Sequence, residues 1–291
     1  MFPISFGCEQ GSYEQISARF TENLREYYEH PARYYLHPFN IFGNLYYVGD
    51  KKVCSHLIDT GEGLIVFDSG YPHTAHLLLQ SIWELGFNPG DIRYVIHSHG
   101  HFDHCGAGDE LRTLFGCRLA MSQVDCERIR EAPALALMKY APSPYNRFPE
   151  PDILIKDGDR ITLGNTSVTC ILAPGHTEGT MAFFFDAKKD GETRSVGYLG
   201  GMGFFSLFRG FQKEYGIQAD MQQTLRGTIH LLQDRQVDIT LGNHPKHNST
   251  LEKRAYMLTH PTENPFIDPE EWPRMLRAME ARLDEFACKG W

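Results

Sequence analysis

The stretch Ser98-His99-Gly100-His101-Phe102-Asp103-His104 carries more information than any other in this chain. It follows directly on Tyr94-Val95-Ile96, an apolar run that predicts a strand over Arg93–Ile96. Four of the 14 histidines fall within residues 97–104. His99 and His101 alternate by two, so their side chains share one side if the backbone stays extended. Asp103 and His104 then come from the turn into a following helix. One metal ion can take His99 and His101, and a second can take Asp103 and His104. Neutral imidazole and carboxylate are ligands that suit Zn²⁺. A cluster at a strand end stands on a rigid element and opens to the surface through a loop.

Two further histidines occupy the same kind of position. Ala173-Pro174-Gly175-His176-Thr177 follows the expected strand Val168–Leu172, and Gly242-Asn243-His244-Pro245 follows Val237–Leu241. Alone, each reads as a polar turn residue. Beside the cluster at 99–104, both read as metal ligands.

Outward from these turns, short β-branched and aromatic runs alternate with helical patterns. Strand signals lie in 41–49, 53–59 and 63–70, then at Ile153–Ile155, Ile161–Leu163, Val168–Leu172, Met181–Phe185 and Val196–Leu199. Helical patterns cover His73–Leu85, Val124–Ile129, Asp220–Leu232 and a tail from Pro269 to Cys288. The proline-rich segment 132–152 reads as a long loop. The strands fall into two groups, 39–121 and 153–241, which implies an α/β body with sheets inside and helices outside. Ile16, Phe20 and Leu24, four apart, make an apolar helical stripe in an N-terminal extension, residues 1–37. The remaining chain, 38–291, is expected to form one domain. The stripe is expected to pack on that body or on a second subunit, which makes it a candidate homo-oligomer contact.

Composition narrows the function classes. The 291 residues carry 28 Lys+Arg against 37 Asp+Glu, a net charge of −9, which disfavours nucleic acid as a partner. No apolar stretch is long enough and free enough of glycine to cross a bilayer, so no membrane role is expected. The N-terminus lacks a basic segment followed by an apolar one. Seven cysteines without a CxxC pair read as reduced thiols, so a cytoplasmic protein is expected. The expected partner is a small-molecule substrate.

The combination of HxHxDH, Pro-Gly-His-Thr at 174–177 and His244 at a late strand end resembles the metallo-β-lactamase superfamily. Within it, 44–49, 156–164, 243–245 and 263–269 are similar to the third subclass of metallo-β-lactamases. The resemblance implies an αββα sandwich, two mixed sheets with helices on the outer faces, and two Zn²⁺ per chain. It implies His99, His101 and His176 on the first ion, and Asp103, His104 and His244 on the second. Asp68 matches the family's aspartate behind the ligands. Many hydrolases of the superfamily bridge their metals with an aspartate in a turn after a later strand. Here that turn is Gly200-Gly201-Met202-Gly203, and no Asp or Glu occurs between Arg194 and Gln212. The implied activity is zinc-dependent hydrolysis, with a metal-bound hydroxide opening a β-lactam-type cyclic amide and Asp103 as the catalytic residue. The alternative is a dizinc hydrolase of another small cyclic or ester substrate, such as a lactone.

The third subclass commonly presents serines in that late turn, where this chain has Gly201 and Gly203. Ser206, Phe204 and Lys246 are the candidate substrate contacts instead. The aromatic stretch 203–211 reads equally as pocket lining or as core, with Met202 and Tyr145 in the same category. His97 is expected to be a buried strand-end residue. His247 is expected to face solvent.

Overall fold

The computed structural model describes residues 2–6, 12–140 and 147–291. Among them, twelve strands form two sheets. The first sheet runs in spatial order β1 (Phe39–Phe42), β2 (Leu45–Tyr47), β3 (His56–Asp59), β4 (Leu64–Phe67), β5 (Ile92–Ile96), β6 (Arg118–Ser122) and β7 (Ile153–Ile155). Its first four strands pair antiparallel and the rest pair parallel. The second sheet contains β8 (Arg160–Leu163), β9 (Thr166–Leu172), β10 (Met181–Lys189), β11 (Glu192–Leu199) and β12 (Ile239–Leu241). It is antiparallel apart from the parallel β11–β12 pair.

Strand β4 shows why the layers stack. All four of its residues are apolar and buried. Ile65 and Phe67 point into the core between the sheets, with Phe183, Phe185 and Tyr198 of the second sheet. Leu64 and Val66 point the other way, against Leu78, Ile82 and Leu111 of the helices Ala75–Glu84 and Gly108–Phe115. An apolar run without alternation is what a strand covered on both faces requires. The outer face of the second sheet is covered by the helices Met221–Leu232 and Glu271–Lys289, through Leu225, Ile229, Trp272 and Met275. The fold is therefore the expected αββα sandwich.

Three elements depart from the sequence reading. The strand Ile153–Ile155 belongs to the first sheet, not the second. It runs parallel to β6 because Asp152 accepts the Leu119 amide at 2.8 Å and returns its own amide to the Leu119 carbonyl at 2.8 Å. The segment 132–152 is not one loop, since Pro133–Ala136 and Met138–Tyr140 form 3₁₀ turns. The C-terminal helix starts at Glu271, which leaves Pro273 in the first turn, where its missing N–H costs nothing.

The N-terminal helix Tyr13–Glu29 opens on a capping box made by Ser12 and Gln15. Its face of Tyr13, Ile16, Leu24 and Tyr27 is buried against the chain's own body. Hydroxyl contacts fasten it: Tyr13 donates to Glu214 at 2.7 Å, Tyr27 donates to the buried Asp50, and Ser17 Oγ lies 3.0 Å from the Tyr140 hydroxyl.

Candidate metal centre

Strands β4, β5, β9 and β12 all end at one edge of the sandwich, and each hands its following residues to the same spot. Asp68 follows β4 with a left-handed backbone (φ +56°), which turns its side chain inward. Its carboxylate is fully buried and receives four hydrogen bonds. Ser98 donates its amide at 2.7 Å and its hydroxyl at 2.8 Å, Tyr198 donates at 2.5 Å, and His104 Nδ1 donates at 2.8 Å. Burial works against the charge, but these donors hold the Asp68 carboxyl below its ordinary range.

The six predicted ligands converge. His99 Nε2 lies 3.1 Å from His101 Nδ1, and His176 Nε2 lies 3.1 Å from the same atom. Asp103 Oδ2 lies 3.3 Å from His104 Nε2 and 3.5 Å from His244 Nε2. His99 is central, close enough to His104 and Asp103 to group with them as well. The His99 and His104 ring centroids are 4.3 Å apart.

Each imidazole other than His101 is set by a partner on its other nitrogen. His99 Nδ1 is 3.0 Å from Ser98 Oγ, which donates its own hydrogen bond to Asp68. His176 Nδ1 donates to the Gly203 carbonyl at 2.8 Å, and His244 Nδ1 donates to the Lys52 carbonyl at 2.7 Å. With Nδ1 protonated in His99, His176 and His244, their Nε2 lone pairs face inward. Burial lowers the pKa of His176 to about 4 and of His244 to about 3, and places His99 and His101 well below the ordinary value. These rings are neutral, the form that binds metal. For His104 burial also lowers the pKa, but the Asp103 and Asp68 carboxylates outweigh it and push it up to about 10. Asp103 stays ionised, because the surrounding imidazoles overcome its burial.

Two observations show that these donors fit metal ions. Ligands at about 2.0–2.1 Å in tetrahedral geometry lie about 3.3 Å from one another, close to the 3.1–3.5 Å spacings found. His104 Nε2 is buried 3.3 Å from Asp103 Oδ2 without a well-formed hydrogen bond, an arrangement that a metal ion held between the two would satisfy.

The other candidates divide. Phe204 and Lys246 line the cavity at the centre, together with Ile16 and Phe20 of the N-terminal helix. Ser206 is buried and donates its hydroxyl to the His176 carbonyl at 2.5 Å, so it braces a ligand instead of offering itself to substrate. His247 is buried, not solvent-facing, because it packs beside His244 and bonds Asn243 Oδ1 at 2.6 Å. His97 is the buried strand-end residue expected, 3.2 Å from Ser69 Oγ. Met202 is core, and Tyr145 lies outside the described residues. The aromatic stretch proves to be both wall and core, since Phe205 stacks on Phe20 while Phe211 packs inside.

Sequence reasoning missed Asp125. From the helix Gln123–Glu131, its buried carboxylate accepts the Gly100 amide at 2.8 Å, the Thr177 hydroxyl at 2.9 Å and the Gly179 amide at 2.8 Å. It thus joins the loop of His99 and His101 to the loop of His176. Burial pushes its pKa up to about 6, against those donors. In the sequence it reads only as an acid in a helix's first turn.

Comparison with known proteins agrees with this geometry. A sequence profile described as the metallo-β-lactamase superfamily matches residues 48–190. A hydroxyacylglutathione hydrolase of Methylococcus capsulatus is 30% identical over 115 residues, which is 40% of this chain and 36% of that protein. The hydroxyacylglutathione hydrolase GloC of Haemophilus influenzae is 27% identical over 160 residues, 55% of this chain and 73% of that protein. The match thus spans about a third of the first relative and about three-quarters of the second. Among solved structures, BJP-1, a subclass B3 metallo-β-lactamase of Bradyrhizobium japonicum, superposes with a TM-score of 0.75. It is 27% identical, over 87% of this chain and 94% of that one.

Proposed function

The chain belongs to the metallo-β-lactamase superfamily of metal-dependent hydrolases, and we propose that it is a dizinc hydrolase opening a β-lactam-type cyclic amide. The observation that carries this reading is the convergence of His99, His101 and His176 beside Asp103, His104 and His244, each imidazole other than His101 locked by a hydrogen bond on its outer nitrogen. The first three side chains would hold one ion and the second three the other. Such ions supply Lewis acidity toward a carbonyl oxygen and acidify water to a pKa of about 7.

The chain's own residues supply position and exclusion. Asp103 lines the cavity, where it orients the attacking water and accepts its proton. The water oxygen bonds to the carbonyl carbon, the C–N bond breaks, and the proton returns to the leaving nitrogen. Phe20, Phe204 and Phe208 exclude bulk water from the same space, which strengthens electrostatic contacts within it. Asp68 and Asp125 hold the ligand loops from behind.

The turn Gly200–Gly203 brings no carboxylate between the two ligand groups, which supports the lactam reading over an aspartate-bridged hydrolase. The relatives named as hydroxyacylglutathione hydrolases support a second reading, an acyl ester, thioester or lactone substrate on the same residues. Steady-state kinetics of the zinc-loaded protein on nitrocefin and on S-lactoylglutathione separates the two. The lactam reading expects nitrocefin turnover that chelation abolishes and zinc restores. Turnover of the thioester alone would replace it with the second reading.

A further inference from the structure

Four of the five imidazoles at the centre are fastened from behind by a protein group, and His101 is the exception. From a small cavity on its far side we infer that one ordered water, held by Glu178 and Asp125, fastens His101, which makes Glu178 a positioning residue of the centre. This rests on the metal-site reading above. His101 turns Nδ1 toward His99 Nε2 and His176 Nε2, at 3.1 Å from each. A neutral ring that offers its lone pair at Nδ1 carries its proton on Nε2, on the edge directed away from the centre. Among the described residues no protein acceptor is found for that nitrogen.

The cavity has a volume of about 20 Å³, and His101, Asp125, Arg128 and Glu178 line it together with the apolar Ile129 and Phe211. A water needs about 10–15 Å³ and two to four polar partners. There is room for one water and little else, so a water there stands close to each polar group of the wall. Three of those groups have hydrogen-bonding capacity left. His101 Nε2–H is a donor. Asp125 Oδ2 accepts the Gly100 amide at 2.8 Å and the Thr177 hydroxyl at 2.9 Å, but for Oδ1 only the Gly179 amide is found among the described residues. Glu178 Oε2 accepts Arg128 Nε at 2.6 Å, and for its Oε1 no partner is found among them. One water accepts from His101 and donates to Asp125 Oδ1 and Glu178 Oε1. Its two protons also separate two carboxylates that share the space. Arg128, bonded to Glu131 at 2.8 Å as well, holds Glu178 in place. The loop that carries His176 thus also carries the brace for His101, two residues on.

Proton NMR of the cobalt-substituted protein tests this. A ring bound through Nδ1 has its N–H between two ring C–H groups, whereas a ring bound through Nε2 has only one beside its N–H. The His101 resonance is therefore identified by two Overhauser contacts. In Glu178→Ala that proton should exchange with solvent at least about tenfold faster than in the wild type. Competitive chelation should show the ion at His99–His101–His176 bound about tenfold more weakly. Glu178→Gln keeps an acceptor for the water but loses the charge that pairs with Arg128, so it should resemble the wild type in both measurements. A brace that acted only through the ion pair would make it resemble Glu178→Ala. A crystal structure should show one water within about 3.2 Å of His101 Nε2 and of both carboxylates. Unchanged exchange in Glu178→Ala, a Gln variant that behaves like the Ala variant, or a crystal without that water overturns the inference. Absence of cobalt uptake counts against the metal reading, and the crystal then decides the inference alone.

Discussion

His104 donates Nδ1–H to Asp68 across 2.8 Å, and that contact decides which of its nitrogens faces the metal centre. The bond is buried on both sides, so no water can replace it. Asp68→Asn tests it with little backbone penalty, because Asn tolerates the left-handed conformation at this position. The substituted amide cannot accept from His104, Ser98 and Tyr198 together. Competitive chelation should show one of the two metal ions bound about 10–100-fold more weakly.

Asp125 should act on the other ligand group. It receives donors from both the Gly100 and the Thr177–Gly179 loops, so Asp125→Asn turns an amide NH₂ toward at least one N–H or O–H. The expected result is faster metal release, with affinity at the His99–His101–His176 position down about 10–100-fold. Stopped-flow release to a chromogenic chelator reads this directly, with circular dichroism confirming that the fold is kept.

The glycines of the late turn rank in a predictable order. A Cβ at Gly201 would stand 2.6 Å from His176 Cβ, whereas one at Gly203 would meet nothing closer than His176 Cε1 at 3.3 Å. Gly201→Ser should therefore displace His176 and lower kcat more than Gly203→Ala does. Parallel kinetics on the two variants checks the order.

Away from the centre, Lys253 and Glu271 form a buried ion pair, with Nζ 2.5 Å from Oε2. Burial pulls Lys253 down and Glu271 up in pKa, and their mutual attraction opposes both shifts. Lys253→Met leaves an uncompensated carboxylate and should cost about 3–5 kcal/mol. Lys253→Met with Glu271→Leu should recover much of that loss. Urea unfolding of the three proteins measures both quantities.

The six candidate ligands were legible because metal chemistry restricts residue type and because the histidines follow strands. The layered fold was legible in the two strand groups mixed with helices and in the apolar run of β4, which needs cover on both faces. What stayed hidden depends on contacts between distant segments. Ile153–Ile155 joins the first sheet through Asp152 and Leu119, a pairing with no local signature. His247 looks like a surface residue until Asn243 accepts its proton inside the fold. Ser206 looks available until the chain brings it to the His176 carbonyl. Asp125 reads as an ordinary first-turn acid because its three donors come from two other loops.

The most direct test is nitrocefin hydrolysis by protein carrying two zinc ions per chain, beside His101→Ala. His101 Nδ1 stands 3.1 Å from both His99 Nε2 and His176 Nε2, so its loss removes the shared corner of one ligand group. The account predicts turnover by the wild type and a loss of at least about 100-fold in the variant, together with one zinc. Intact two-zinc protein that leaves nitrocefin untouched would contradict it.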